Sequence, residues 1–91
     1  ADDIVDMTRP DWWEWELAFT PHVELRMEER DVTELDLRRM LDRSSEVRSR
    51  GVEGRFQIRT RHAGHPWIVV VEPDPEERRV YVVTAFREDP R

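Results

Sequence analysis

The sequence predicts an α+β domain in which two N-terminal helices pack on an antiparallel sheet of about four strands, in the order β-α-α-β-β-β. Three observations point there. Thr20-Pro21 and Thr33 each open a stretch with helical spacing of apolar residues. Residues 56–61, 67–71 and 80–86 read as strands separated by turn residues. The chain of 91 residues has no cysteine, so one modest core must hold without disulfides, and thiolate metal sites are excluded.

Taken in order, residues 1–14 read as an acidic arm without sustained periodicity, and residues 15–91 as the folded domain. Trp15, Leu17 and Phe19 alternate with Glu16, Ala18 and Thr20, the period of a half-buried strand. Thr20 caps a helix that has Pro21 at its first position and Val23 and Met27 on its inner stripe, running to about residue 30. Asp31-Val32-Thr33 breaks it. Thr33 caps the second helix, with Asp36 as the acid of a capping box and Leu37, Met40 and Leu41 marking the buried side to about residue 43. A linker from Ser44-Ser45 reaches Gly51 and Gly54, with a short extended piece near Val47.

Beyond the linker, Phe56, Ile58 and Thr60 alternate with Arg55, Gln57, Arg59 and Arg61, so a strand sets three arginines on one face. His62-Ala-Gly-His-Pro66 is a turn. Residues 67–71 form an almost continuous apolar run suited to a central strand, and Pro73-Asp-Pro-Glu-Glu77 turns the chain into the last strand, 80–86. With both helices on one side, the other face of the sheet is partly open. Arg55, Arg59 and Arg61 belong on it, because burying an unpaired arginine is very costly.

The net charge of -6 is unevenly spread. Residues 1–16 hold six acids against Arg9, five net negative charges, while the rest is close to neutral. This balance argues against a protein that coats nucleic acid indiscriminately and leaves a local basic site open. All 15 basic residues are arginine, which a GC-rich genome accounts for and which selection for bidentate phosphate binding would also produce. No apolar run reaches the roughly 20 residues that span a bilayer, and no signal-peptide pattern is present. A soluble cytoplasmic protein with no membrane partner is expected. His62 and His65 flank a glycine turn without a third ligand beside them, so neither a metal nor another cofactor is expected.

His22, Arg26 and Arg30 are spaced by four, which stacks them on one stripe of the first helix. An imidazole trades protons near neutral pH and a guanidinium grips phosphate with a planar fork of donors. The trio therefore has the chemistry to handle a phosphodiester. Its setting is Phe19-Thr-Pro-His22-Val-Glu-Leu-Arg26-Met27-Glu-Glu-Arg30-Asp-Val-Thr33, followed by the Leu37-to-Leu41 helix, an arginine-bearing strand, an apolar strand, and Tyr81-Val-Val-Thr84-Ala-Phe-Arg87. This pattern resembles a widespread bacterial domain of unknown function grouped with the RelE/ParE/BrnT-like toxins and, more broadly, with the barnase, EndoU and colicin-type ribonuclease fold. The resemblance spans residues 15–88. It implies a RelE-like fold and a metal-independent endoribonuclease that acts on RNA, of toxin type, held silent by a cognate antitoxin.

The resemblance also implies roles. In metal-free RNA cleavage the 2'-hydroxyl attacks the adjacent phosphorus, one group takes its proton, another protonates the leaving 5'-oxygen, and cations stabilise the phosphorane. His22 would be the general acid or base. Arg26 and Arg59 would clamp the phosphate, supported by Arg30, Arg55, Arg61 and Arg87, and Thr84 would orient the phosphate or the attacking hydroxyl.

Other roles stay open for the same residues. Glu24, Glu28, Glu29 and Glu34 stand at pairing distance from Arg26 and Arg30, the sheet arginines suit a solvated face, and Trp12, Trp13 and Trp15 suit packing as well as base stacking. The alternative function is a non-catalytic binding or regulatory module acting through a protein partner, as the gyrase-poisoning ParE branch does. The acidic arm could also fold back over the arginine face, in which case deleting residues 1–14 would raise RNA affinity.

Overall fold

The computed structural model describes residues 3–4, 10–49 and 54–88, and the α+β class is realised in them. In chain order come β1 (Asp3–Ile4), a 3-10 helix (Asp11–Glu14), β2 (Glu16–Phe19), α1 (Pro21–Glu29), α2 (Glu34–Asp42), β3 (Glu46–Ser49), β4 (Phe56–His62), β5 (His65–Asp74) and β6 (Arg79–Arg87). The strands form one sheet in the spatial order β1-β3-β4-β5-β6-β2, with both helices against one face. No helix among the described residues is long and apolar enough to cross a membrane.

Two details of the expected architecture need correction. Among the described residues the sheet has six strands, because the extended piece near Val47 is a true strand, β3, pairing Val47 with Ile58, and because β1 adds two residues beside it. The sheet is also mixed: β3 through β6 run as an antiparallel meander, but β2 pairs with β6 in parallel, Leu17 opposite Val80 and Phe19 opposite Val82. Direction explains this. The helical pair returns the chain to β3 running opposite to β2, and the three reversals of the meander bring β6 back parallel to β2.

The helix ends follow local chemistry. Thr20 Oγ1 accepts the Val23 N–H at 3.2 Å, ahead of Pro21 at the first helical position. Thr33 and Asp36 complete a reciprocal capping box at 3.1 and 3.0 Å. Between the helices Asp31 takes a left-handed φ of 60°, and the Val32 N–H reaches back to the Met27 carbonyl at 2.9 Å.

Leu37, Met40 and Leu41 of α2 and Val23 of α1 close over Ile58, Val69, Val71, Val80 and Val82 from the sheet. Trp13, within residues 1–14, is 3 % exposed and belongs to this core. Residues 1–2 and 5–9 of the acidic arm lie outside the described residues. Arg38 of α2 fixes the segment before β2 by donating to the Trp13 carbonyl at 2.9 Å and the Trp15 carbonyl at 2.8 Å.

Candidate functional site

Sidedness decides which expected site residues can meet. Buried Thr60 of β4 donates its hydroxyl to the Met40 carbonyl of α2, so Ile58 and Thr60 point to the helices. Alternation then turns Gln57, Arg59 and Arg61 to the open face. Thr84, opposite Val70, is half-buried on that same open face. His22 is the second residue of α1 and exposed on the helical layer, as is Arg26, which pairs with Glu29 at 3.7 Å. Of the four residues expected to be catalytic, Arg59 and Thr84 thus share one face of the sheet, while His22 and Arg26 belong to the layer covering the other.

Two further expected phosphate contacts are held by carboxylates, as Arg26 is by Glu29. Arg59 lies between Glu88 and Glu46, donating from Nε to Glu88 at 3.3 Å and from Nη1 to Glu46 at 3.5 Å, with a closer Nη2 contact to Glu88. That hydrogen bond holds the Glu88 carboxyl below its ordinary range and raises the Arg59 guanidinium. Arg55 pairs with Glu72 at 3.0 Å. Arg59, with Arg48, Ile68, Phe86, Glu46 and Glu88, borders a concavity of about 350 Å3 on the open face.

A different group converges at the end of β6. β2 stops at Phe19, opposite Val82, and the β6 edge beyond it is met by α1 instead: Arg30, the residue closing that helix, donates from Nη1 to the Ala85 carbonyl at 2.8 Å. Two residues on, Arg87 Nη2 lies 3.1 Å from His65 Nδ1. Arg30, Arg87, Trp67 and Phe86 line a cavity of about 400 Å3. Phe86 borders this cavity and the open-face concavity alike.

His62 joins the group through the hairpin. Ala63 and Gly64 adopt left-handed φ values of 52° and 80°, the geometry of a two-residue hairpin turn, and set His62 directly opposite His65 on the β4–β5 ladder. The His62 ring meets Trp67 edge-on at 5.6 Å between centroids. Arg61 closes the turn by donating to the Gly64 carbonyl at 3.0 Å. Among the described residues Arg30 and Arg61 bond to backbone carbonyls and to no carboxylate, so their charges stay available to an anion.

The structure thus brings together Arg30 and Arg87 of the expected residues and adds His62, His65, Trp67 and Phe86. The two histidines were legible as a pair in principle: a two-residue Ala-Gly turn makes its flanking residues cross-strand neighbours. Reading them only as metal ligands hid that. Among the described residues no group of three or more His, Cys, Asp or Glu is gathered to hold a metal ion. A family model described as "Domain of unknown function (DUF4258)" matches residues 19–91. No curated protein and no solved structure matches the chain.

Proposed function

Because the chain belongs to this DUF4258 family, whose description assigns no activity, we propose a function from the site at the end of β6: metal-independent cleavage of RNA by the His62–His65 pair, with Arg87 and Arg30 as the phosphate clamp. One observation carries the proposal, the contact of Arg87 with His65 at the rim of a cavity shared with Arg30, Trp67 and Phe86. Cleavage by the RNA's own 2'-hydroxyl needs a base, an acid and a cation at one phosphodiester. Two imidazoles on adjacent strands and two guanidiniums supply that set.

The chemistry balances within the substrate. One imidazole takes the 2'-hydroxyl proton as the oxygen attacks phosphorus, the second gives a proton to the departing 5'-oxygen, and a 2',3'-cyclic phosphate remains. Arg87 and Arg30 oppose the charge that grows on the phosphorane oxygens, and Phe86 offers a stacking surface to a flanking base. His22 and Arg26 take no part in the chemical step of this mechanism. The proposal includes a cytoplasmic toxin-type role with a cognate antitoxin as protein partner.

The test is cleavage of a defined oligoribonucleotide in EDTA. His65→Ala, His62→Ala and Arg87→Ala are expected to lose about a hundredfold or more in rate, while His22→Ala keeps it. An oligonucleotide with a single 2'-deoxy substitution should resist cleavage at that step. Activity that survives both histidine substitutions overturns the assignment. A second function, a non-catalytic module working through a protein partner, is favoured by the carboxylates that hold Arg26, Arg55 and Arg59. Absence of cleavage by folded wild-type protein, with a partner bound through the sheet face, would establish it.

A further inference from the structure

The connection between α1 and α2 breaks several rules of local stability at once. Glu24 and Glu28 stand one turn apart on α1, a like-charge pair, and Asp31 follows just past the helix end. Two of them lie at the C-terminal end of the helix, where the dipole favours cations. Asp31 also holds a left-handed φ of 60°. None of these acids, nor Glu34 at the start of α2, makes an ion pair among the described residues, in contrast to Glu46, Glu72 and Glu88 on the sheet.

The four carboxylates rim a groove of about 520 Å3 whose floor is Phe19, Met27 and Val32. Phe19 and Met27 are only partly buried and pack against the edge of the core. The groove therefore joins a strip of apolar surface to an acidic border with nothing of opposite charge to satisfy it. We propose that it is the docking site for a basic amphipathic helix of a partner protein, whose apolar stripe lies on Phe19, Met27 and Val32 while its Lys or Arg side chains reach Glu24, Glu28, Asp31 and Glu34. Such a partner removes the like-charge repulsion and places cations at the negative end of α1. It docks beside Asp31, whose chain neighbour Arg30 lines the cavity at the end of β6.

The probe is a fluorescent amphipathic Leu/Lys helix of about 14 residues, long enough for a continuous apolar stripe. Its control is the same composition scrambled so that the stripe is lost. Anisotropy titration at physiological salt is expected to show saturable binding of the striped peptide and at least about tenfold weaker binding of the scrambled one. Glu24→Gln/Glu28→Gln/Asp31→Asn should weaken the striped peptide about tenfold, while Glu14→Gln/Glu16→Gln/Glu76→Gln, with the same change in net charge, should not. Asn is chosen at position 31 because it accepts the left-handed conformation. Equal weakening by both triple variants, or equal binding of both peptides, reduces the effect to net-charge attraction and overturns the proposal. So does absence of binding. Binding is read without any cleavage, so the result is independent of the catalytic assignment.

Discussion

Thr60 is 3 % exposed, and its hydroxyl donates to the Met40 carbonyl, which lies in the last turn of α2 where the helix leaves carbonyls without internal partners. One side chain thus closes a helix end and ties it to a central strand. Thr60→Val keeps the shape but strands that carbonyl, and is expected to cost about 1–3 kcal/mol in urea unfolding, with Thr60→Ser recovering much of it. Asp36 gives a pH-dependent case. The Thr33 backbone N–H, then the Thr33 side chain, and to a smaller extent His62 and Arg39, hold its carboxyl below the ordinary 3.8. A carboxyl depressed in the folded state stabilises above its unfolded pKa, and that contribution is lost as pH falls through the folded value. The melting-temperature gap between wild type and Asp36→Ala should therefore be open at neutral pH and close well below 3.8. A gap that stays constant would mean Asp36 acts only through helix propensity.

Elements were legible where local chemistry and side-chain period agree. Threonine caps and helical spacing of apolar residues marked α1 and α2, and alternation marked β2 and β4, because caps and one-sided burial act over a few residues. β3 was legible only as a short extended piece near Val47, since Glu46-Val47-Arg48-Ser49 has one apolar residue and its strand character comes from pairing with β4. The 3-10 helix escaped for a similar reason. Its place depends on Arg38, whose guanidinium reaches across to the Trp13 and Trp15 carbonyls. Arg38→Lys cannot span both acceptors, because an ammonium lacks the planar fork. We expect a loss of about 1.5–3 kcal/mol in stability, with a red shift in tryptophan emission as Trp13 loosens from the core. An unchanged spectrum and unfolding midpoint would show that packing of Trp13 alone holds the segment.

At the scale of the molecule, net charge and local charge pull apart. A chain of net charge -6 repels a polyanion at long range, while Arg30, Arg61 and Arg87 gather at one end of the sheet. RNA affinity should then rest on about three phosphates, giving a slope near -2 for log affinity against log salt with single strands. A slope of -6 or steeper would mean a wide electrostatic surface and would sink the compact-site picture. The composition, the helix caps and the hydrophobic periods sufficed by themselves to determine an α+β domain with two helices on one face of the sheet and arginines on the other. Only the tertiary structure decided that β2 lies parallel beside β6, that Arg59 is held by Glu88 and Glu46, and that Arg87 meets His65 two residues from the Ala85 carbonyl that holds Arg30. The reason is range: caps and burial periods are settled by neighbours in sequence, whereas a guanidinium's partner is whichever acceptor the finished packing brings within about 3 Å of it.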